Sequence, residues 1–216
     1  GLEIMSISSY ILVGIKRKFA RSNEAALKYL LLGAFSTGFL LYGISMLYGA
    51  TGSTILPQII DEVQKNGADN PLVIVGMALV VIAMSFKIAI VPFHMWTPDV
   101  YTGAPTPVTG FLSAAAKAAG FAVFVRVLLT GIPLDGANWE NVLWILAVLS
   151  MTVGNLMALR QSEVKRMLAF SSIAHAGYVL VAVVVGSASA ISGIIFYSFA
   201  YAVMGTGAFG ILTIRD

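Results

Sequence analysis

The sequence contains no cysteine. That excludes a disulfide framework, a thiolate metal site, an iron–sulfur cluster held by this chain and a cysteine nucleophile. Charge is also scarce, at 11% of residues. A soluble domain carries about 25%, so this chain cannot cover a water-facing surface with charge. Its basic residues form no stripe interleaved with aromatics, only a short cluster at Lys16, Arg17, Lys18 and Arg21. A nucleic-acid partner is therefore not expected. No strand–helix GxGxxG fingerprint for a dinucleotide is read either.

What remains is apolar. Hydrophobic residues make up 58% of the chain and the mean hydropathy is +0.90. These values place it in the membrane class, with lipid as its solvent. A membrane helix needs about 20 apolar residues. Long apolar segments run over about 1–15, 25–49, 71–98, 106–130, 139–159, 167–186 and 190–213. All are predicted helices, because lipid offers no partner to open backbone groups. The expected fold class is all-α, a polytopic transmembrane helix bundle forming one domain over 1–216, in contact with the lipid bilayer. The chain opens on Gly1 with an apolar segment already under way and closes on Asp216 directly after another. It is expected to be the middle of a longer chain.

Loop charges set the expected orientation. Lys16–Arg21, then Arg160, Lys165 and Arg166, then Arg215 fall on one side when helices are counted alternately. Asp61, Glu62, Asp69, Asp135 and Glu140, with Lys65 the one basic residue among them, fall on the other. The basic side is expected to be cytoplasmic. A short interfacial helix is expected near Leu56–Val63.

The third segment, 71–98, holds about 28 residues, or about 42 Å of helix against a hydrocarbon core of about 30 Å. Pro92 and Pro98 are expected to interrupt it. Pro92 lacks an N–H and clashes with the carbonyl of Ile88, so a break is predicted between about Ser85 and Phe93. A plain proline kink is the alternative. A true break at membrane depth marks a wet or protein-lined site and is a device of transporters.

Four ionisable residues stand where lipid is expected: Glu3, Lys87, Lys117 and His175. A charge at the bilayer centre costs about 2.5–3.5 kcal/mol on insertion scales. Lys117 lies in AAAKAAG, and such small neighbours let another helix approach closely. Snorkelling, its bland explanation, works near helix ends. Lys87 directly precedes the predicted break, where a helix C-terminus favours a cation. A desolvated lysine there can also load and release a proton. His175, with an ordinary pKa near 6.5, suits proton transfer, or packs by hydrogen bonds among Ser171, Ser172 and Tyr178. His94 lies beside Phe93 and Trp96 and reads as interfacial. Glu24 precedes Lys28 by four residues, which pairs them on one helix face; a surface pair and a functional role both fit.

The strings FKIAIVPFHMWTPDVYTGAPTPVTGFLSAAAKAAGFAVFVR and ALRQSEVKRMLAFSSIAHAGYVLVA resemble the signature regions of a known family. It comprises the antiporter-like membrane subunits of NADH–quinone oxidoreductase (respiratory complex I) and of multisubunit cation/proton antiporters. The PFHMWTPDVYTGAPTPV form, with GLEIMSISSY and NEAALKYLLLGAFSTGFLLYG, is closer to the subunit N branch than to branches L and M. The resemblance covers nearly the whole chain. It implies an inverted-repeat antiporter-like fold, of which this chain holds roughly the fifth to eleventh transmembrane helices. It places the family's fifth-helix glutamate at Glu3, its broken-helix lysine at Lys87 and its eighth-helix lysine at Lys117. The early sixth-helix glutamate falls at Glu24, the cytoplasmic-loop lysine at Lys165 and the tenth-helix histidine at His175. The twelfth-helix lysine falls outside this sequence.

The resemblance further implies a proton-translocating subunit in the cell inner (plasma) membrane, partnered by other membrane subunits of complex I. No cofactor is implied for this chain; flavin, iron–sulfur clusters and quinone are expected in other subunits. On this reading Glu3 and Lys87 form an ion pair whose separation controls the first lysine, Lys87 and Lys117 are stations on one path, His175 continues it, and Glu24 and Lys165 support it. The alternatives are a multisubunit cation/proton antiporter without redox activity, and a passive scaffold whose buried charges only lock helices together.

Overall fold

The computed structural model describes residues 1–66, 70–131 and 139–215. Asp69, Asp135 and Asp216 lie outside the described residues. Among the described residues all regular structure is helical: α1 (Leu2–Val13), α2 (Ala20–Thr51), α3 (Leu56–Asn66), α4 (Pro71–Ile88), α5 (Trp96–Gly103), α6 (Thr106–Phe111), a π-helical turn (Leu112–Ala116), α7 (Lys117–Gly131), α8 (Trp139–Leu159), α9 (Val164–Val185) and α10 (Ala188–Arg215). Six stretches are long and apolar enough to cross a membrane; they are α2, α4, Thr106–Leu128, α8, α9 and α10. Large apolar side chains on their outer faces, such as Phe35, Phe196 and Ile211, stay exposed. That pattern suits lipid as the surrounding solvent. The GxGxxG string at Gly205–Gly210 lies inside α10, with no strand before it.

The overlong third segment is broken. α4 stops at Ile88, and Ala89 takes the left-handed conformation at φ 59°. The Ile90 N–H bonds to the Ser85 carbonyl and the Ala89 N–H to that of Phe86, at 3.0 and 3.1 Å. This paired closure is the Schellman motif, with alanine where glycine is usual. Pro92 prevents the helix from resuming at once, since its ring clashes with the carbonyl of Ile88. Freed backbone groups find partners within the protein: the Val91 N–H donates to Ser150 Oγ of α8 at 3.0 Å, and the Phe86 carbonyl accepts Trp96 Nε1–H at 2.8 Å.

Pro98 does not interrupt anything. It is the third residue of α5, a position whose N–H has no intrahelical acceptor to lose. The chain therefore resumes as a separate half-helix. An aromatic row fixes that half-helix in the bundle: Tyr10 meets Tyr29 edge-on at 4.7 Å, Tyr29 stacks on Trp96 at 4.5 Å, and Tyr101 packs edge-on against Phe209 at 6.0 Å. Four elements, α1, α2, α5 and α10, are tied by that row.

Glycine permits two close helix pairs. A Cβ on Gly43 of α2 would stand 2.7 Å from the carbonyl oxygen of Gly76 in α4, and one on Gly154 of α8 would stand 2.6 Å from the backbone nitrogen of Ala174 in α9. Backbones this close are the usual way helices associate where lipid removes the hydrophobic incentive. α3 is a short amphipathic helix that buries Ile59 and Val63 against the core. The basic turn after α1 and the α8–α9 turn share one end of the bundle, where Arg21 and Glu163 approach to 3.9 Å.

Candidate functional site

Lys117 sits at the end of the π-turn, where α7 begins. A π-turn inserts a residue into the helix, and such insertions concentrate at functional sites. The side chain is only 5% exposed. Its ammonium donates to the backbone carbonyl of Ser172 at 2.6 Å and to the Ser172 hydroxyl at 2.9 Å. Ala114 and Ala176 stand beside it, so the small residues of AAAKAAG bring α9 close enough for this contact.

Lys87 occupies the last turn of α4, directly before the break. Its ammonium donates to Ser6 Oγ of α1 at 2.5 Å. Glu3 accepts a hydrogen bond from Thr37 Oγ1 of α2 at 2.9 Å. The expected direct Glu3–Lys87 ion pair is thus absent among the described residues. Ser6 is one turn beyond Glu3 on α1 and takes the ammonium, while Thr37 holds the carboxylate. Glu3 still acts on Lys87 through space.

Two small cavities lie beside these groups. One is lined by Ser6, Tyr29, Lys87, Trp96, Tyr101 and Lys117. The other is lined by Lys117, Ser172, His175, Tyr197 and Tyr201. Each offers about 20 Å³, room for roughly one water. Lys117 is the one residue that lines both. On the far side, His175 Nδ1 and the Tyr197 hydroxyl of α10 share a 2.5 Å hydrogen bond, its direction set by the imidazole tautomer. The Tyr201 ring lies 4.8 Å from the His175 ring.

Glu24 and Lys165 are elsewhere. Glu24 pairs with Lys28 at 2.6 Å on the exposed end of α2. Lys28 also bonds Asp99 of α5 at 2.8 Å, and Arg166 of α9 bonds the other oxygen of Asp99 at 2.7 Å. These residues line an open, charged cavity of about 230 Å³ at the basic end of the bundle. Partial burial pushes the Asp99 carboxyl up, but the Lys28 and Arg166 bonds outweigh it and hold the group below its ordinary value. Lys165 donates to the Ala104 carbonyl at 3.2 Å, next to the α5–α6 turn.

Sequence reasoning passed over Ser6, Thr37, Asp99, Tyr197 and Tyr201, and weighed Ser172 only as a neighbour of His175. Serines and tyrosines are unremarkable in membrane helices, and nothing in their spacing shows that they converge. Asp99 carried one signal: an acid directly after the apolar segment 71–98, the sort of residue that needs a cation.

A broken helix with a lysine in its last turn, a second lysine at the end of a π-turn and a cavity lined by both define a polytopic membrane protein with a row of buried and half-buried ionisable and hydroxyl groups. The chain belongs to the NADH:quinone oxidoreductase/Mrp antiporter transmembrane family, whose sequence profile matches residues 1–215. It is 57% identical to NADH-quinone oxidoreductase subunit N of Trichlorobacter lovleyi over 99% of this chain and 44% of that protein. Among solved structures it resembles a chain of respiratory complex I from Thermus thermophilus with bound aureothin, at 42% identity and TM-score 0.82, covering 98% of this chain and 44% of that one. It also resembles a chain of the Mrp complex from Dietzia sp. DQ12-45-1b, at 25% identity and TM-score 0.84, covering 96% and 39%. The chain spans under half the length of the curated relatives it matches.

Proposed function

We propose that this chain forms part of the proton-translocating membrane subunit of an NADH–quinone oxidoreductase. The observation that carries this is that Lys87 and Lys117 line one cavity while Lys117 and His175 line the next. An ammonium has donors and no acceptor, so a row of lysines suits proton transfer and repels a passing metal cation. Two ammonium groups across a small cavity also repel each other, which favours moving a proton on once the first site is loaded. The path runs from Lys87 through water to Lys117, and from there through water to His175 and Tyr197. Glu3 modulates the Lys87 end, and Glu24 and Lys165 belong to the charged basic end that faces the cytoplasm.

On this reading the chain binds no redox cofactor; flavin, iron–sulfur clusters and quinone belong to other subunits of the same complex. Its partners are those membrane subunits, protons and the lipid of the cell inner (plasma) membrane. The antiporter alternative is supported less, since identity to the Mrp chain is 25% against 42% for the complex I chain. Co-purification separates the two, because a redox complex brings peripheral flavin and iron–sulfur subunits.

The test is Lys117→Met in the complete complex, reconstituted in vesicles. Methionine keeps the apolar bulk and removes the titrating group. The expected result is an assembled complex with proton pumping reduced at least tenfold, and electron transfer falling with it where the two are tightly coupled. An assembled variant with an undiminished proton-to-electron ratio and rate overturns the path.

A further inference from the structure

A side chain from one half of the broken helix caps the other half. Trp96 is the first residue of α5, and it is buried. Its indole Nε1–H crosses the break and donates to the Phe86 carbonyl of α4 at 2.8 Å. That carbonyl also accepts the Ala89 N–H at 3.1 Å. A backbone carbonyl has two lone pairs, so both are in use. The Phe86 carbonyl belongs to the peptide unit that joins Phe86 to Lys87. A peptide unit is planar. A bond that holds this oxygen therefore also fixes the plane that carries the N–H and Cα of Lys87.

The ring is aimed by its neighbours. Tyr29 of α2 stacks on it with centroids 4.5 Å apart and planes 11° from parallel, and the Phe86 ring lies 5.6 Å away. Trp96 also lines the cavity that holds Ser6, Lys87 and Lys117. We propose that Trp96 is a positioning residue for Lys87: its N–H pins the peptide plane from which Lys87 departs and so directs the ammonium onto Ser6 Oγ. The indole carries no proton along the path; it acts through the lysine. The inference rests on the proton-path reading above.

A buried indole has a simpler use, as bulk between Tyr29, Phe86 and Tyr101. The N–H separates the two roles. Bulk is served equally by any ring of the same shape. Positioning needs the donor, because a membrane interior supplies no water to replace it on the Phe86 carbonyl. Without the donor, the Phe86–Lys87 peptide is freer to tilt, and the ammonium at the end of its four-carbon stem moves with it. Transfer steps are sensitive to displacements of about 1 Å.

The experiment replaces Trp96 in the complete complex with benzothienylalanine, an isostere in which sulfur stands for the indole N–H, and with a fluorotryptophan, which keeps the N–H. Assembled yield and pumping rate in vesicles are measured for each, alone and combined with Ser6→Ala, with Lys117→Met alongside. The sulfur isostere is expected to pump about threefold to tenfold more slowly, and the fluorotryptophan complex to match wild type. Both the isostere and Ser6→Ala act on one ammonium. Their combination is therefore expected to fall at most about twofold below the slower single variant, short of the product of the two effects. Any of three results overturns the positioning role and leaves the path standing: wild-type pumping by the isostere, an equal loss in the fluorotryptophan complex, or single effects that simply multiply. An isostere that fails to assemble where the fluorotryptophan complex assembles overturns it too, since the N–H is then a folding bond. A Lys117→Met complex that pumps normally overturns the path, and this inference with it.

Discussion

Lys87 Nζ stands 2.5 Å from Ser6 Oγ, while one turn earlier on the same helix Glu3 is bonded to Thr37. The two charged groups thus hold separate hydroxyl partners, and Glu3 acts on Lys87 through space and not through direct contact.

The first prediction follows from that geometry. Ser6→Ala leaves the Lys87 ammonium without its direct acceptor; Glu3→Gln leaves both observed hydrogen-bond partners in place. Ser6→Ala is expected to lower pumping severalfold, at least as much as Glu3→Gln does, in assembled complexes of equal yield. A normal Ser6→Ala beside an inactive Glu3→Gln would show that the working protein forms the direct ion pair.

The Val91–Ser150 hydrogen bond supplies the second. Ser150 is fully buried, and its hydroxyl accepts the Val91 N–H in the break between α4 and α5. Ser150→Ala orphans that N–H at a cost of about 1–2 kcal/mol. Hydrogen exchange at the Val91 amide is expected to accelerate by roughly tenfold. Ser45→Ala is the control, since the exposed Ser45 bonds only the Tyr42 carbonyl within its own helix; unchanged exchange at Val91 in Ser150→Ala would refute the assignment.

Asp99 gives the third, with a defined pH dependence. Burial pushes its carboxyl up, and the hydrogen bonds and charges of Lys28 and Arg166 together outweigh that push and hold it below the ordinary value. A depressed carboxylate contributes stability that is fully present above its unfolded-state pKa and is lost as pH falls through the folded one. Asp99→Asn is therefore expected to lower the melting midpoint at neutral pH by about 1–3 °C, with the difference from wild type closing below pH 4 and shrinking in high salt. Midpoints measured in detergent across pH decide it; a gap that persists at acid pH means that Asp99 acts by packing and not by charge.

The sequence by itself determined the solvent and the architecture. With 11% charge and 58% hydrophobic residues, these segments have no stable alternative to helices in lipid, because an open backbone group there goes unpaired. It also located the break, since Pro92 in an overlong apolar segment cannot continue a helix, and it singled out Lys87, Lys117 and His175 because a charge at membrane depth is costly. Helix ends were less legible. α2 begins at Ala20 and not near 25, because Arg21 and Lys28 are accommodated by Glu163 and Asp99 from other elements.

Only the tertiary structure decided which groups touch. Ser6 meets Lys87 across 81 residues of sequence, Ser172 meets Lys117 across 55, and Tyr197 meets His175 across 22. Hydroxyl side chains carry no cost signature in a membrane helix, since a serine can satisfy itself on the carbonyl four residues back, as Ser9 does on Met5. Their partners are therefore set by how helices cross, and that is set by glycine contacts, the π-turn before Lys117 and the stacking of Tyr29 on Trp96, each of which depends on two distant elements meeting.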